Sequence, residues 1–149
     1  MKRINEYKKL FGIEQDMSLK TLKSTYRDLV KEWHPDKFQD DNPLKAEAEI
    51  MGQKIIDAYH FLVSIAPETK EANLDEYKIT TAECQVVDWR HKSMLLEVTF
   101  SDGNTYEYFG VSKILFGKFV NAKSMNNFGR RNIFNSFLYR KIKKVAVNA

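Results

Sequence analysis

Histidine and cysteine are the scarcest chemistry-bearing residues in this 149-residue chain, with three of the first and one of the second. His34 stands in the tripeptide His34-Pro35-Asp36, while His60 and His91 have no nucleophile or metal partner at a ligand-like spacing. Cys84 has no activating base nearby and no second cysteine to pair with, so it reads as a small buried hydrophobe. There is no glycine loop that could cradle a phosphate. No catalytic residue, metal site or cofactor is therefore expected, and the chain is read as a binding protein and not an enzyme.

Two constellations are suited to binding. In the run after Ser18, at about 100° per residue, Lys20, Lys23, Arg27 and Lys31 fall within roughly 80° of one another, beside an apolar stripe. This basic ridge leads directly into His34-Pro35-Asp36 and the following Lys37. Pro35 stiffens the turn, Asp36 offers a carboxylate to an arginine, and the ridge attracts an acidic partner, with Asp28 and Glu32 neutralising part of it. The second constellation is Tyr106 and Tyr108, which share one face of a strand, followed by Lys123, Arg130, Arg131, Arg140, Lys141, Lys143 and Lys144. Rings on a strand face can stack on splayed bases and cations can neutralise phosphates, although a unit of about 70 residues also needs such rings for its core.

The elements that must carry these groups follow from periodicity. Tyr7, Leu10 and Phe11 form one side of a short helix that Gly12 can terminate. Ser18 caps a helix whose apolar face is Leu19, Leu22, Tyr26, Leu29, Val30 and Trp33, and Pro35 stops it at 33–34. A polar loop over 34–43 leads to a second long helix bearing Ala48, Met51, Ile55, Ala58, Tyr59 and Leu62, and Pro67 ends that one. Residues 84–89 and 94–100 read as strands, the latter with Leu96, Val98 and Phe100 on one face; Asp102-Gly103 turns into a strand over 105–109. Ser112 then caps a helix with Ile114, Leu115, Phe119 and Val120 on its apolar side. Loop and a short helix follow over 124–137, and Tyr139-Arg140-Lys141-Ile142 returns as a strand.

Charge divides the chain at the same place. The whole carries 24 basic and 20 acidic residues, yet residues 1–72 hold 12 and 13 of them and residues 73–149 hold 12 and 7. After Glu107 there are nine lysines or arginines and no carboxylate side chain. Such a shift marks two units, with a boundary near 67–79. The charged N-terminus is unlike a signal peptide, and no stretch approaches the roughly 18 apolar residues of a membrane span, so a cytoplasmic setting without membrane contact is expected.

The first half, through YKKLFGI, TLKSTYRDLVKEWHPDK and AEAEIMGQKIIDAYHFL, resembles the J-domain of the DnaJ co-chaperone family. The resemblance implies docking on a DnaK-type heat-shock chaperone and stimulation of its ATP hydrolysis. The residues implied are His34, Pro35 and Asp36 of the loop, Lys37 after it, and Lys20, Lys23, Tyr26 and Arg27 of the ridge. Three departures stand out. Asp28 occupies a position that is often basic, and Gly52 one that is often a large aromatic, leaving its packing to Met51 or another neighbour. Beyond Pro67 the acidic ETKEANLDEY replaces a basic fourth helix.

The second half resembles the KTSC domain, a module found at the C-terminus of some lysyl-tRNA synthetases and in small bacterial proteins. The likeness is carried by Tyr106-Glu107-Tyr108, Phe109-Gly110-Val111, Ala122-Lys123-Ser124 and Tyr139-Arg140. RNA binding is that family's suggested role, and it would fall to Tyr106, Tyr108, Lys123, Arg130, Arg131 and Arg140. The expected fold is thus α+β in two units: an all-α J-domain helical hairpin over 1–66, a linker or short extra helix over 67–79, and a small α+β unit with an antiparallel sheet over 80–149. The expected function is that of a co-chaperone with a client- or RNA-binding module; the alternative is an RNA-binding protein in which the hairpin is a scaffold.

Overall fold

The computed structural model describes residues 2–14, 17–39 and 41–142; Lys143 and Lys144 of the basic tail lie outside them. Its elements run α1 Lys2–Leu10, α2 Leu19–Trp33, a 3-10 turn Pro35–Lys37, α3 Leu44–Ile65, α4 Pro67–Glu83, β1 Val86–Lys92, β2 Leu95–Phe100, β3 Thr105–Phe109, α5 Lys113–Val120, α6 Met125–Asn132 and β4 Leu138–Ile142. The fold is α+β in two units, residues 2–69 and residues 70 onward. Among the described residues no helix is long and apolar enough to cross a membrane.

In the first unit the chain stops and starts where its local chemistry dictates. Gly12 adopts φ +63°, and the N–H groups of Gly12 and Ile13 donate to the carbonyls of Lys9 and Lys8, which closes α1 in a Schellman motif. At the start of α2 the Ser18 hydroxyl accepts from Thr21 N at 3.3 Å, and Leu19 N donates to Glu68 Oε2 at 2.8 Å, so two of the orphan donors are satisfied. Asn42 Oδ1 accepts from Leu44 N at the head of α3. The helix ends at Ile65 because Pro67 holds Ala66 extended (ψ 147°), and the same proline opens α4. α1 and α2 both pack against α3, and Leu22 of α2, Ala48, Ile55, Ala58, Phe61, Leu62 and Ile65 of α3, and Ile4 and Phe11 are buried. Met51 and Tyr59, expected in that stripe, are partly buried. Phe61 is buried instead, its ring centroid 5.3 Å from that of Tyr7.

The second unit is a four-stranded antiparallel sheet in the order β1-β2-β3-β4, with α4, α5 and α6 contributing to its core. Leu96 pairs with Tyr108 and Val98 with Tyr106, so Leu96, Val98, Phe100 and both tyrosines share one face, where Tyr77, Phe119, Ile133 and Phe134 join them. Three expectations are corrected here. Met94 is not in a strand: Ser93 and Met94 both have positive φ and form a two-residue turn between β1 and β2, held where the Met94 carbonyl accepts from Gly110 N and Val111 N. Ile114 is 75% exposed, because the face of α5 that meets the core is Leu115, Phe116, Phe119 and Val120, and Ile114 lies about 170° from its centre. The short extra helix of the boundary extends to Glu83, and its Tyr77, Thr80 and Thr81 are buried in the second unit.

Candidate functional site

The ridge survives as a surface. Lys20, Lys23, Arg27 and Lys31 are all exposed and, with Ser24 and Asp28, line a shallow basic concavity of about 390 Å³ on the outer side of α2. α2 ends on His34, whose backbone is extended (φ −63°, ψ 129°), and the next residues wind into the 3-10 turn closed by Lys37 N donating to His34 O at 3.0 Å. The His34 ring folds over that turn: Asp36 N lies 3.2 Å from Nδ1, and the Asp36 carboxylate 3.5 Å from the same nitrogen. An unprotonated Nδ1 accepts the Asp36 N–H and leaves the ring proton on Nε2; a protonated Nδ1 faces the carboxylate instead. Both arrangements hold the ring against Asp36. The Asp36 side chain is 92% exposed and Lys37 is exposed.

Tyr26 is not a freely projecting ridge residue. It stacks on Tyr59 of α3 at 4.2 Å and 19°, and it lines a groove of about 360 Å³ between the two long helices with Val30, Trp33, His34 and Ile56. Gly52 lies in this groove, and a Cβ built on it would meet nothing within 4 Å. The expectation that Met51 or a neighbour takes up the space is therefore corrected: the space stays open. Its signal in the sequence is a glycine inside an otherwise helix-favouring run.

In the second unit most of the expected nucleic-acid residues serve the fold. Tyr106 and Tyr108 are fully buried, so they offer no face to a base; their position opposite Val98 and Leu96 makes them core side chains, which corrects the stacking expectation. Tyr77 donates its hydroxyl proton to the Phe134 carbonyl at 2.5 Å, so the 3.0 Å contact between Tyr77 and Tyr108 is a bond donated by Tyr108. Burial, the leading cause throughout, pushes Tyr106 up to about 12, Tyr77 and Tyr108 well above the usual tyrosine value, and Tyr139 upward. Arg130 donates through Nε to Thr81 O at 2.7 Å and through Nη2 to Ala82 O at 2.9 Å, so its guanidinium caps the C-terminal turn of α4. Arg140 pairs with Glu107 at 3.0 Å, and Lys141 with Glu76. Of the six candidates only Lys123 and Arg131 stand exposed.

Comparison with known proteins assigns the two halves separately. Residues 6–72 match the family model of the DnaJ domain. Residues 83–137 match that of the KTSC domain. Over 57 residues the chain is 39% identical to the chaperone protein DnaJ of Thermoplasma volcanium, covering 38% of this chain and 15% of that protein. Over 61 residues it is 34% identical to the chaperone protein DnaJ of Thermotoga maritima, covering 41% of this chain and 16% of that one. The chain thus spans about a sixth of the length of these curated relatives, and the likeness to them is confined to the DnaJ-like unit.

Proposed function

We propose that the chain is a cytoplasmic, non-enzymatic co-chaperone whose DnaJ-like unit docks on a DnaK-type heat-shock chaperone and stimulates its ATP hydrolysis. The observation that carries this reading is a continuous exposed surface in which the Lys20, Lys23, Arg27 and Lys31 ridge runs into the internally bonded His34-Pro35-Asp36 turn. Four cations on one helix flank raise the encounter rate with an acidic surface, and the exposed Asp36 carboxylate is placed to meet an arginine as that surface arrives. In this reading the KTSC-like unit carries the target, a client protein or RNA, with exposed Lys123, Arg131, Val87 and Trp89 as the groups available to it.

The test is ATP hydrolysis by the DnaK-type chaperone of the same source, with the full chain and with its His34→Gln variant. Stimulation by the wild type and its loss in the variant are expected. Equal stimulation by the two proteins would refute the proposal.

A further inference from the structure

β1 ends the strand order of the sheet, and among the described residues no strand lies outside it, so its outer backbone groups form a template for another strand. The register says which residues present those groups. Phe100 N donates to Asn104 O, so Phe100, Val98 and Leu96 turn their backbone groups toward β3. Thr99, Glu97 and Leu95 turn theirs toward β1, where they face Asp88, Arg90 and Lys92. Trp89 and His91 therefore present N–H and C=O outward. The Trp89 N–H donates to the Asp88 carboxylate at 2.9 Å, and the Trp89 side chain is 40% exposed, next to the bulge residue Val87 at 57%.

Charge selects what can pair with this edge. A second copy of β1, laid antiparallel with Trp89 opposite Trp89, sets Asp88 of each copy opposite Arg90 of the other. Both are non-hydrogen-bonded pairs, in which side chains approach most closely. The neighbouring registers that still join outward groups to outward groups set Arg90 opposite Arg90 on one side and Asp88 opposite Asp88 on the other, and like charges directly opposite are destabilising. In the complementary register the Trp89 N–H leaves Asp88 for the Trp89 carbonyl of the second copy, and the released carboxylate meets Arg90 of that copy, so neither group loses a partner. We propose that two copies of the chain associate through β1, antiparallel and centred on Trp89, as a two-fold dimer. The bulge at Val87 confines regular pairing to the residues around Trp89, so the contact is small and the dimer belongs to the weak, concentration-dependent class. Each dimer carries two DnaJ-like units, and Trp89 is open to a target only in the monomer.

The test is sedimentation velocity of the full chain from about 10 μM to about 1 mM, with Trp89 emission followed over the same range in a Trp33→Phe background. A dimer forming with a blue shift of Trp89 is expected. Asp88→Arg and Arg90→Asp, each alone, oppose like charges in both cross-strand pairs and should weaken the dimer about tenfold, whereas an equimolar mixture of the two variants restores both pairs and with them association. Circular dichroism checks the folding of each variant. A chain still monomeric at about 1 mM would overturn the proposal and leave the edge to a strand of another protein. A dimer indifferent to both reversals, or one lost in each variant and not recovered in their mixture, would overturn it as well. Should either variant fail to fold, the wild-type sequence decides: dimer formation without a change in Trp89 emission refutes pairing through β1.

Discussion

Replacing Arg130 separates two roles that one residue type could fill. Its guanidinium donates to the carbonyls of Thr81 and Ala82, the last turn of α4, through bonds of 2.7 and 2.9 Å, and α4 has no basic residue of its own in that turn. Hydrogen bonds from a charged donor contribute about 1.5–3 kcal/mol each, and the partial exposure of Arg130 reduces that to the lower end. Arg130→Met is therefore expected to destabilise the second unit by about 2–3 kcal/mol, leaving two carbonyls without their donor. Arg130→Lys keeps the charge but loses the fork that reaches both carbonyls at once, so it should cost roughly half as much. The assay is urea unfolding of the full chain, followed by Trp89 emission in a Trp33→Phe background so that the signal reports the second unit. A residue whose task is to neutralise phosphate would tolerate lysine, and its removal would leave stability unchanged. Stability within about 0.5 kcal/mol of the parent in Arg130→Met would refute the capping role.

Tyr77→Phe removes the donor to the Phe134 carbonyl and the acceptor of the Tyr108 hydroxyl together, and a loss of about 2–4 kcal/mol is expected in the same unfolding assay. The raised values of Tyr77, Tyr106 and Tyr108 mean that the fold favours their neutral forms. That contribution is complete below the unfolded tyrosine value of about 10 and fades as pH rises through the folded values, so in a variant with Tyr7, Tyr26 and Tyr59 replaced by phenylalanine, alkaline unfolding of the second unit should coincide with the appearance of tyrosinate absorbance. Tyrosinate appearing at about pH 10 with the fold intact would contradict it. On the ridge, Lys23→Glu is expected to slow association with the DnaK-type chaperone several-fold at low salt and to have much less effect once the Debye length falls below about 8 Å; a loss indifferent to salt would count against steering.

Local chemistry is what the sequence displays best. Gly12, Ser18, Pro35, Pro67, Asp102-Gly103 and Ser112 each act on a backbone within four residues of themselves, and each ends, caps or turns an element as its type implies. The readings that fail depend on distant partners. Ser93-Met94 lacks the Asn-Gly chemistry of a two-residue hairpin turn; the Met94 carbonyl is held by amides 16 and 17 residues on. α4 shows little apolar periodicity, since Tyr77 is its main anchor and the cluster that receives it is assembled from residues 96–134. The site divides in the same way. The ridge and the His34 turn occupy one contiguous stretch and are visible in it, whereas the groove beside them needs α3 laid against α2, and only Gly52 hints at it.

The same distinction governs what the charge means. Counted along the chain, the acid-free run after Glu107 is the most basic region and reads as the natural place for a polyanion. In the fold three of its cations meet groups from earlier in the sequence: Arg130 meets α4 carbonyls, Arg140 meets Glu107, and Lys141 meets Glu76. The ridge on α2 lies in a half whose net charge is close to zero, yet its four cations lie on one exposed flank with Asp28 beside them. A partner responds to the potential over a surface within about a Debye length, and a sum over sequence does not measure it. The nearly neutral half therefore carries the stronger candidate for electrostatic recognition, while in the basic half Arg130, Arg140 and Lys141 serve the fold.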